Sequence, residues 1–344
     1  MSYLNTDMMD YSEIGPLYPA TIPPTASFVL LPDDCLRSIL VHVSTVADRN
    51  AFSLVSRRFR AIEAHEREEL FIGNGLHPVT SALHKLCNRF SSLQRIHIDY
   101  SEWTSKMGPQ MSDSGLQALS DTCRCLKSLT LRFCCYLTDA GVSQLSAAPN
   151  LRFLSLIFVP GVTGRGLLSI VSSCQLTGLH IEACSGIRSS EWLDFLGRNA
   201  EVTDPKMTRE NWRESEIPVH GKFCGDHAGS RLRYLGVVKC RGIGEGDLAK
   251  LGAAWDWIES LHFEQVESPR EVLVAPVRDL DKVTSRMSNV RSLRLVGCSK
   301  EDGKGLMQLL PRCVGLENLF LHNCGVVKEE MLLNLRNLIT SEIK

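Results

Sequence analysis

The stretch "LTLRFCCYLTDAGVSQL", residues 129–145, decides the fold because its spacing of apolar residues returns elsewhere in the chain. Leu129 and Leu131 alternate with other residues as in a β-strand, Cys134 follows, and a Thr-Asp-x-Gly turn leads to further apolar residues. A catalytic cysteine, a zinc ligand or a disulfide would explain the cysteine, but none of them explains the leucines. A spacing that recurs indicates a structural unit before it indicates a chemical site.

The copies of this pattern follow one another at a nearly constant step. Leu126, Leu151 and Leu176 begin three consecutive copies, each 25 residues after the previous one. The remaining copies begin at Leu93, Leu232, Ile258, Val290 and Leu316. This pattern matches the leucine-rich repeat, L-x-x-L-x-L-x-x-[N/C], in which a short strand and a helix form one coil. The sequence therefore predicts an α/β leucine-rich-repeat solenoid, an open arc of about eight strand-helix coils.

Five cysteines occupy the same place in the repeat, at the end of the strand. They are Cys134, Cys184, Cys240, Cys298 and Cys324. A thiol is small, largely apolar and a weak hydrogen-bond donor, so it suits a tight interior beside backbone carbonyls. We expect these five repeat cysteines to be reduced and buried, and Cys135, outside the repeat position, to be more exposed. In the turn that follows, Thr or Asp is expected to cap a helix.

Composition narrows the function classes. The chain has 344 residues, 44% of them hydrophobic and 22% charged, which is typical of a soluble globular protein. Its formal net charge of -1 gives no general attraction to nucleic acid or to an anionic membrane, so neither is predicted as a partner. No apolar run reaches the roughly 18 residues needed to cross a bilayer. With no visible signal peptide, reduced cysteines predict a cytoplasmic and/or nuclear protein.

No cofactor, metal site or catalytic residue is predicted. Cys123 and Cys125, like Cys224 and His227, lack a second pair at the spacing of a zinc finger. "GIGEG", residues 242–246, lacks the complete glycine fingerprint of a dinucleotide-binding loop and lies in a repeat turn.

A different pattern precedes the repeats. Residues 1–27 are rich in proline, lack periodicity and are expected to form a flexible leader. The following segment places Leu36, Ile39, Leu40 and Val43 on one helical face and Phe52, Val55, Phe59 and Ile62 on another. Pro32 suits the first turn of the first helix, and Asp48 can cap the second. Helices this short bury little surface alone and need a partner.

Three motifs in this segment resemble the F-box. They are Leu31-Pro32-Asp33-Asp34, Ile39-Leu40 and the run "SLVSRRF" that ends at Phe59. Asp34 stands where the family often has Glu, and Phe59 where it often has Trp. Together with the cysteine-containing repeats, these motifs are similar to the F-box/leucine-rich-repeat proteins, above all the plant members. The predicted domains are the leader 1–27, an α-helical F-box 28–70 and a repeat domain 71–344 with an insertion at 197–231.

The resemblance implies a non-catalytic substrate-recognition subunit of a Skp-cullin-F-box ubiquitin ligase. Its F-box would bind a Skp-type adaptor and, through it, a cullin, while its repeats would hold a protein substrate for ubiquitination. The residues expected to bind the adaptor are Leu31, Pro32, Leu36, Ile39, Leu40, Val55 and Phe59.

The inner strands of a solenoid form an extended concave surface, and strand residues between the buried leucines face it. Aromatic and charged residues on such a surface are common interface anchors. The predicted substrate-binding residues are Arg132, His180, Glu182, Tyr234, His262, Arg294, Phe320 and His322.

Two other functions compete with the ligase hypothesis. One is an interaction scaffold whose F-box-like helices direct no ubiquitination. The other is a small-molecule co-receptor, as in the hormone-sensing plant relatives. About eight repeats predict an open arc instead of a closed ring, which makes an enclosed ligand pocket a weaker hypothesis.

Overall fold

The computed structural model describes residues 30–73, 79–104, 106, 108–200, 232–265, 287, 289–297 and 310–322. The chain divides into two compact units, with the boundary between Glu66 and Arg67. The leader and residues 201–231 of the predicted insertion lie outside the described residues.

The first unit contains three helices, α1 (Asp33–Val41), α2 (Val46–Val55) and α3 (Arg57–Glu66). Their apolar residues pack into one cluster. Its buried members are Leu36, Leu40, Phe59 and Ile62, and Leu31, Val43 and Phe52 pack against them. Pro32 is the N-cap residue of α1. The expected cap of α2 at Asp48 is wrong, because α2 begins at Val46 and the Thr45 hydroxyl accepts the Asp48 N–H at 3.0 Å.

The second unit contains nine strands, which pair in parallel in chain order. They are β1 (Glu69–Gly73), β2 (Arg95–Asp99), β3 (Ser128–Arg132), β4 (Phe153–Ile157), β5 (Gly178–Glu182), β6 (Tyr234–Val238), β7 (Ser260–Glu264), β8 (Ser292–Val296) and β9 (Asn318–His322). The strand order confirms the predicted open leucine-rich-repeat solenoid.

One layer of helices connects these strands. The layer contains α4 (Val79–Arg89), α5 (Asp113–Thr122), α6 (Asp139–Gln144), α7 (Gly164–Ser173), α8 (Glu191–Ala200) and the 3-10 helices Leu145–Ala147, Glu245–Asp256 and Leu310–Arg312. Each α-helix from α4 to α7 packs on the next, and α8 packs on the long 3-10 helix. No helix in the described ranges is both long and apolar enough to cross a membrane.

Strand β1 was not among the predicted coils, and the predicted boundary after residue 70 falls inside it. Leu70 and Ile72 are buried as in the other strands, but Arg67 occupies the place of the first repeat leucine. Its guanidinium carbon lies 4.8 Å from the centre of the Phe90 ring. An arginine that buries its stem against an aromatic ring can replace a leucine in packing, although the repeat pattern does not reveal it.

Strand register explains why the leucines recur. Leu129 pairs with Leu154, Leu131 pairs with Leu156, and all four are buried. Because side chains alternate between the faces of a strand, the second and fourth residues of each strand enter the core and the others reach the opposite face. The burial patterns of β2, β3 and β7 follow this alternation.

Three of the five repeat cysteines lie in the described part of the chain, and all three are buried and free of disulfides, as predicted. The Cys184 thiol donates to the carbonyl of Leu156 in the preceding coil at 3.5 Å. Burial raises the pKa of Cys184 to about 12 and the pKa of Cys240 to about 11. Cys298 and Cys324 lie outside the described residues.

The reactivities of two adjacent thiols, Cys134 and Cys135, provide a test of the buried position of the repeat cysteines. Cys134 is fully buried, and burial raises its pKa, whereas Cys135 is exposed. Because alkylation requires an accessible thiolate, iodoacetamide should modify Cys135 in the native protein and reach Cys134 only after unfolding. Mass spectrometry of the shared peptide, with a urea-denatured sample as control, measures both rates. Equal native rates would contradict the buried repeat position.

The Thr-Asp-x-Gly turn joins consecutive coils. The Thr138 hydroxyl caps α6 by accepting the Ala140 N–H at 3.2 Å. Asp139 instead accepts hydrogen bonds from the next coil, from the Thr163 N–H at 2.7 Å and the Thr163 hydroxyl at 2.6 Å. A Cβ on Gly166 would collide with the Asp139 carboxylate. Thr therefore caps its own helix, Asp binds the next coil, and Gly leaves room for the preceding Asp.

Replacing Asp139 with Ala should destabilise the solenoid by about 1 to 3 kcal/mol, because two hydrogen bonds to a carboxylate are lost. Urea unfolding followed by tryptophan fluorescence measures this unit, since all five tryptophans come after residue 100. Asp121→Ala, on the exposed side of α5, is the control. An equal loss of stability in both variants would show that the inter-coil bonds contribute nothing specific.

Candidate functional site

The predicted adaptor-binding residues separate into two groups. Leu36, Leu40 and Phe59 lie inside the helical cluster, and Leu31 is partly buried against it. Pro32, Ile39 and Val55 are exposed. The buried residues can therefore influence an adaptor only by shaping the unit, while the exposed ones are available for direct contact.

Val55 does not lie on the predicted buried face. The prediction assumed one helical face through Phe52, Val55 and Phe59, but α2 ends at Val55 and α3 begins at Arg57. The break changes the direction of the chain, so Phe52 and Phe59 meet with ring centroids 4.6 Å apart while Val55 is 63% exposed.

The sequence prediction missed four exposed apolar residues of this unit. They are Leu30, Val41, Val46 and Leu54. Leu54 is 85% exposed, the largest value among the exposed large hydrophobic residues of the described chain. Its position next to Val55 in the motif "SLVS" was the available signal.

Arg58 fixes the start of α1, where Pro32 lies. Its guanidinium donates to the Asp33 carboxylate, with Nε and Oδ1 2.7 Å apart, and to the Leu31 carbonyl. These contacts join the first and third helices of the unit around an exposed proline.

In the solenoid, strand register places the predicted substrate-binding residues on one face of the sheet. One row across the strands runs through His180, Gly236, His262, Arg294 and Phe320. A second row runs through Arg132, Ile157, Glu182, Val238, Glu264, Val296 and His322. Tyr234 lies on the same face, two residues before Gly236 along β6.

The residues of β5 to β7 form a contiguous cluster. The Tyr234 hydroxyl lies 3.0 Å from His180 Nδ1, and His180 Nε2 lies 3.5 Å from Glu182 Oε2. This arrangement fits a neutral imidazole that accepts from Tyr234 and donates to Glu182. The His180 and His262 ring centroids are 6.3 Å apart. We call His180, Glu182, Tyr234, His262 and Glu264 the central cluster.

Two glycines make room for the aromatic rings of this face. A Cβ on Gly236 would collide with His180 Nδ1, and a Cβ on Gly178 would collide with the Phe153 ring. Phe153 in turn lies beside Tyr234, with ring centroids 5.9 Å apart. Phe153 and Gly236 were absent from the predicted site, although both lie at outward-facing strand positions that the repeat pattern identifies.

Burial determines the protonation of the two histidines and the tyrosine of the central cluster. Burial, assisted by the nearby Arg294 and His180, lowers the pKa of His262 to about 4, against the opposing effect of Glu264 and Glu182. Burial also lowers the pKa of His180 and raises that of Tyr234. At neutral pH both imidazoles and the phenol are therefore uncharged.

The other predicted residues lie outside the central cluster. Arg294 lies over the Phe320 ring at 4.2 Å from its centroid, and the Phe320 and His322 rings are 6.4 Å apart. Arg132 lies two strands away from β5, with Nη1 3.5 Å from Asp99 Oδ2. Within the described ranges, no three His, Cys, Asp or Glu side chains are grouped so that they could hold a metal ion.

The depressed pKa of His262 predicts a pH-dependent stability. Below its ordinary pKa of 6.5 the unfolded chain binds a proton that the native imidazole does not, so the free energy of unfolding should decrease as pH falls from 6.5 towards about 4. His262→Gln should make this dependence shallower in urea titrations followed by tryptophan fluorescence. The exposed His322 gives the control variant His322→Gln. Identical pH profiles for wild type and His262→Gln would contradict the prediction.

Comparison with known proteins assigns the first unit to a class. The F-box domain model matches residues 28–67, which contain all three helices of that unit. The described chain is thus an F-box domain followed by a leucine-rich-repeat solenoid, and it resembles the F-box/leucine-rich-repeat proteins of plants, as predicted.

Three plant relatives illustrate the similarity. Coronatine-insensitive protein homolog 1b of Oryza sativa subsp. japonica is 29% identical over 55% of this chain and 32% of its own. F-box/LRR-repeat protein 12 of Arabidopsis thaliana is 28% identical over 46% of this chain and 42% of its own. Coronatine-insensitive protein 1 of Arabidopsis thaliana is 26% identical over 50% of this chain and 30% of its own. The chain therefore spans less than half the length of these curated relatives.

Among solved structures, the crystal structure of the Rad7 and Elc1 complex in yeast aligns with 90% of this chain and 63% of that chain. The TM-score is 0.40 and the sequence identity is 15%.

Proposed function

We propose that this chain is the substrate-recognition subunit of a Skp-cullin-F-box ubiquitin ligase. The observation that carries the proposal is the F-box match over a helical unit that leaves several apolar residues exposed. A solenoid with a row of polar and aromatic side chains follows it in the same chain. Such a subunit performs no bond chemistry and acts by proximity, because a tethered substrate reacts as if it were highly concentrated.

The exposed apolar residues of the helical unit supply the driving force for binding a Skp-type adaptor. Covering apolar surface is worth about 25 cal/mol per Å² before the costs of association. Leu54 and Val55, at the end of α2, are 85% and 63% exposed, so their side chains contribute little to the folded unit and much to an interface. Leu30, Pro32 and Ile39 extend the candidate surface.

Replacing both Leu54 and Val55 with Ala should weaken adaptor binding by at least about tenfold, since loss of about 1.4 kcal/mol corresponds to that factor. The fold should remain intact, because both side chains are exposed. Isothermal titration of the full chain with a purified Skp-type adaptor measures the affinity, and circular dichroism checks the fold.

Leu36→Ala serves as the contrasting variant, because Leu36 is buried in the helical cluster and its loss should destabilise the unit by about 2 to 5 kcal/mol. If the wild-type chain binds no Skp-type adaptor, the ligase proposal fails and the interaction scaffold takes its place. If it binds but the double variant binds equally well, the adaptor uses another surface.

We also propose a cytoplasmic and/or nuclear location. All cysteines in the described part of the chain are free, which suits a reducing compartment. A fluorescent fusion found only in the secretory pathway would refute this location.

A further inference from the structure

We propose that the central cluster recognises its protein substrate through a lysine or arginine side chain, which binds Glu182 and is flanked by an apolar residue of the same segment. The inference rests on the proposed function in one respect: the segment bound at the central cluster is taken to belong to the protein that is ubiquitinated.

Glu182 carries a negative charge on this face, and no lysine or arginine of the described residues pairs with it. Its side chain is 36% exposed. Within the described ranges, the one basic side chain close enough to pair with it is His180, with Nε2 3.5 Å from Glu182 Oε2. That imidazole is neutral at physiological pH, because burial lowers its pKa. Glu182 thus presents a negative charge to solvent without a lysine or arginine beside it in the described structure.

Neighbouring charges on the same face have cationic partners. Glu264 Oε1 lies 3.3 Å from Lys239 Nζ, and Asp99 Oδ2 lies 3.5 Å from Arg132 Nη1. Val238 lies between Glu182 and Glu264 in the strand register, which separates their backbones by roughly 10 Å, two strand spacings. The positive charge of Lys239 therefore neutralises Glu264. The charge of Glu182 is left to attract a cation from a binding partner.

The side chains around Glu182 suit a cation of this kind. Tyr234 and His180 present stacked rings with centroids 6.1 Å apart, and aromatic faces attract cations. Arg294 over Phe320 shows the same contact elsewhere on this sheet. The neutral imidazoles of His180 and His262 do not repel a positive charge, and His262 Nε2 is buried without a hydrogen-bond partner among the described residues.

Two aromatic residues at the strand ends, Phe133 and Phe158, are the candidates for contact with the apolar residue of the substrate segment. The Phe158 N–H donates to the Glu182 carbonyl at 2.8 Å, so the backbone of Phe158 lies beside that of Glu182. Phe133 and Phe158 have ring centroids 4.9 Å apart, and Phe158 is 45% exposed.

The backbone of this pair supports a role for its side chains. Both residues have positive φ, 54° and 55°, a conformation that is strained for non-glycine residues. The repeat imposes positive φ at this position, since Ala183 and Lys239 share it. A phenylalanine at this position combines a strained backbone with a ring that is partly exposed to water. Both features fit a side chain that contacts a partner.

Degenerate ten-residue peptide pools test the proposal without a known substrate. Each biotinylated pool has one central residue fixed as Lys, Arg, Gln, Glu or Leu, and binding to the full chain is measured by biolayer interferometry. The Lys and Arg pools should bind about tenfold more tightly than the Gln pool, because a charged donor binds a carboxylate more strongly than a neutral amide does. The difference should shrink with added salt.

Charge variants assign the preference to Glu182. Glu182→Gln, nearly equal in shape, should remove the preference for Lys and Arg, and Glu182→Lys should move it to the Glu pool. Glu69→Gln is the matched control, because Glu69 lies on the same face in β1 but already contacts Arg95 and His97 at 3.3 Å and 3.1 Å. That control should leave the preference unchanged.

Absence of binding, equal binding of all pools, or a Lys and Arg preference that survives Glu182→Gln would each overturn the proposal. Adaptor titration of the same preparations separates it from the ligase function. A chain that selects basic peptides but binds no adaptor retains the recognition site and loses the ligase role. A chain that binds adaptor but shows no basic preference retains the ligase role and loses this inference.

Discussion

In-register pairing of parallel strands is the constraint on which the rest of the solenoid depends. Strands β1 to β8 bury their second and fourth residues, β9 buries the equivalent residues in part, and each strand from β1 to β9 pairs residue for residue with its neighbours. A shift of one residue in any pair would expose the buried leucines and bury the polar face. The same register that packs Leu129 on Leu154 therefore also arranges His180, Gly236 and His262 in one row.

The turns maintain this register between coils. A carboxylate in one coil holds both the backbone and the hydroxyl of a threonine in the next, as Asp113 does for Thr138 and Asp139 for Thr163. Buried thiols add bonds at the strand ends, where Cys184 contacts the carbonyl of the preceding strand. Because these polar bonds are directional, they fix the spacing of coils that nonspecific hydrophobic packing would leave adjustable. A regular outer face is the consequence.

The two units bury their apolar residues to different extents. In the solenoid, strand and helix residues from successive coils cover one another, and Trp192 and Trp255 are fully buried. The three short helices cover one small cluster and leave Leu54 and Val41 exposed. A unit this small cannot enclose all of its apolar surface by itself. Its exposed leucines therefore form a surface that a partner could cover. This contrast connects the helical unit with partner binding.

The sequence by itself determined the repeat period, the buried leucines, the cysteine position and the membership of the outward rows, because strand alternation and a constant step depend only on local order. Tertiary structure decided where those patterns fail. Arg67 replaces a leucine by packing on Phe90, and the break after α2 turns Val55 outward. It also decided the chemistry of the central cluster. His180 and Tyr234 are 54 residues apart in sequence, and Gly236 leaves the space in which they meet. The low pKa of His262 arises from burial and from charges on neighbouring coils, which no local pattern encodes.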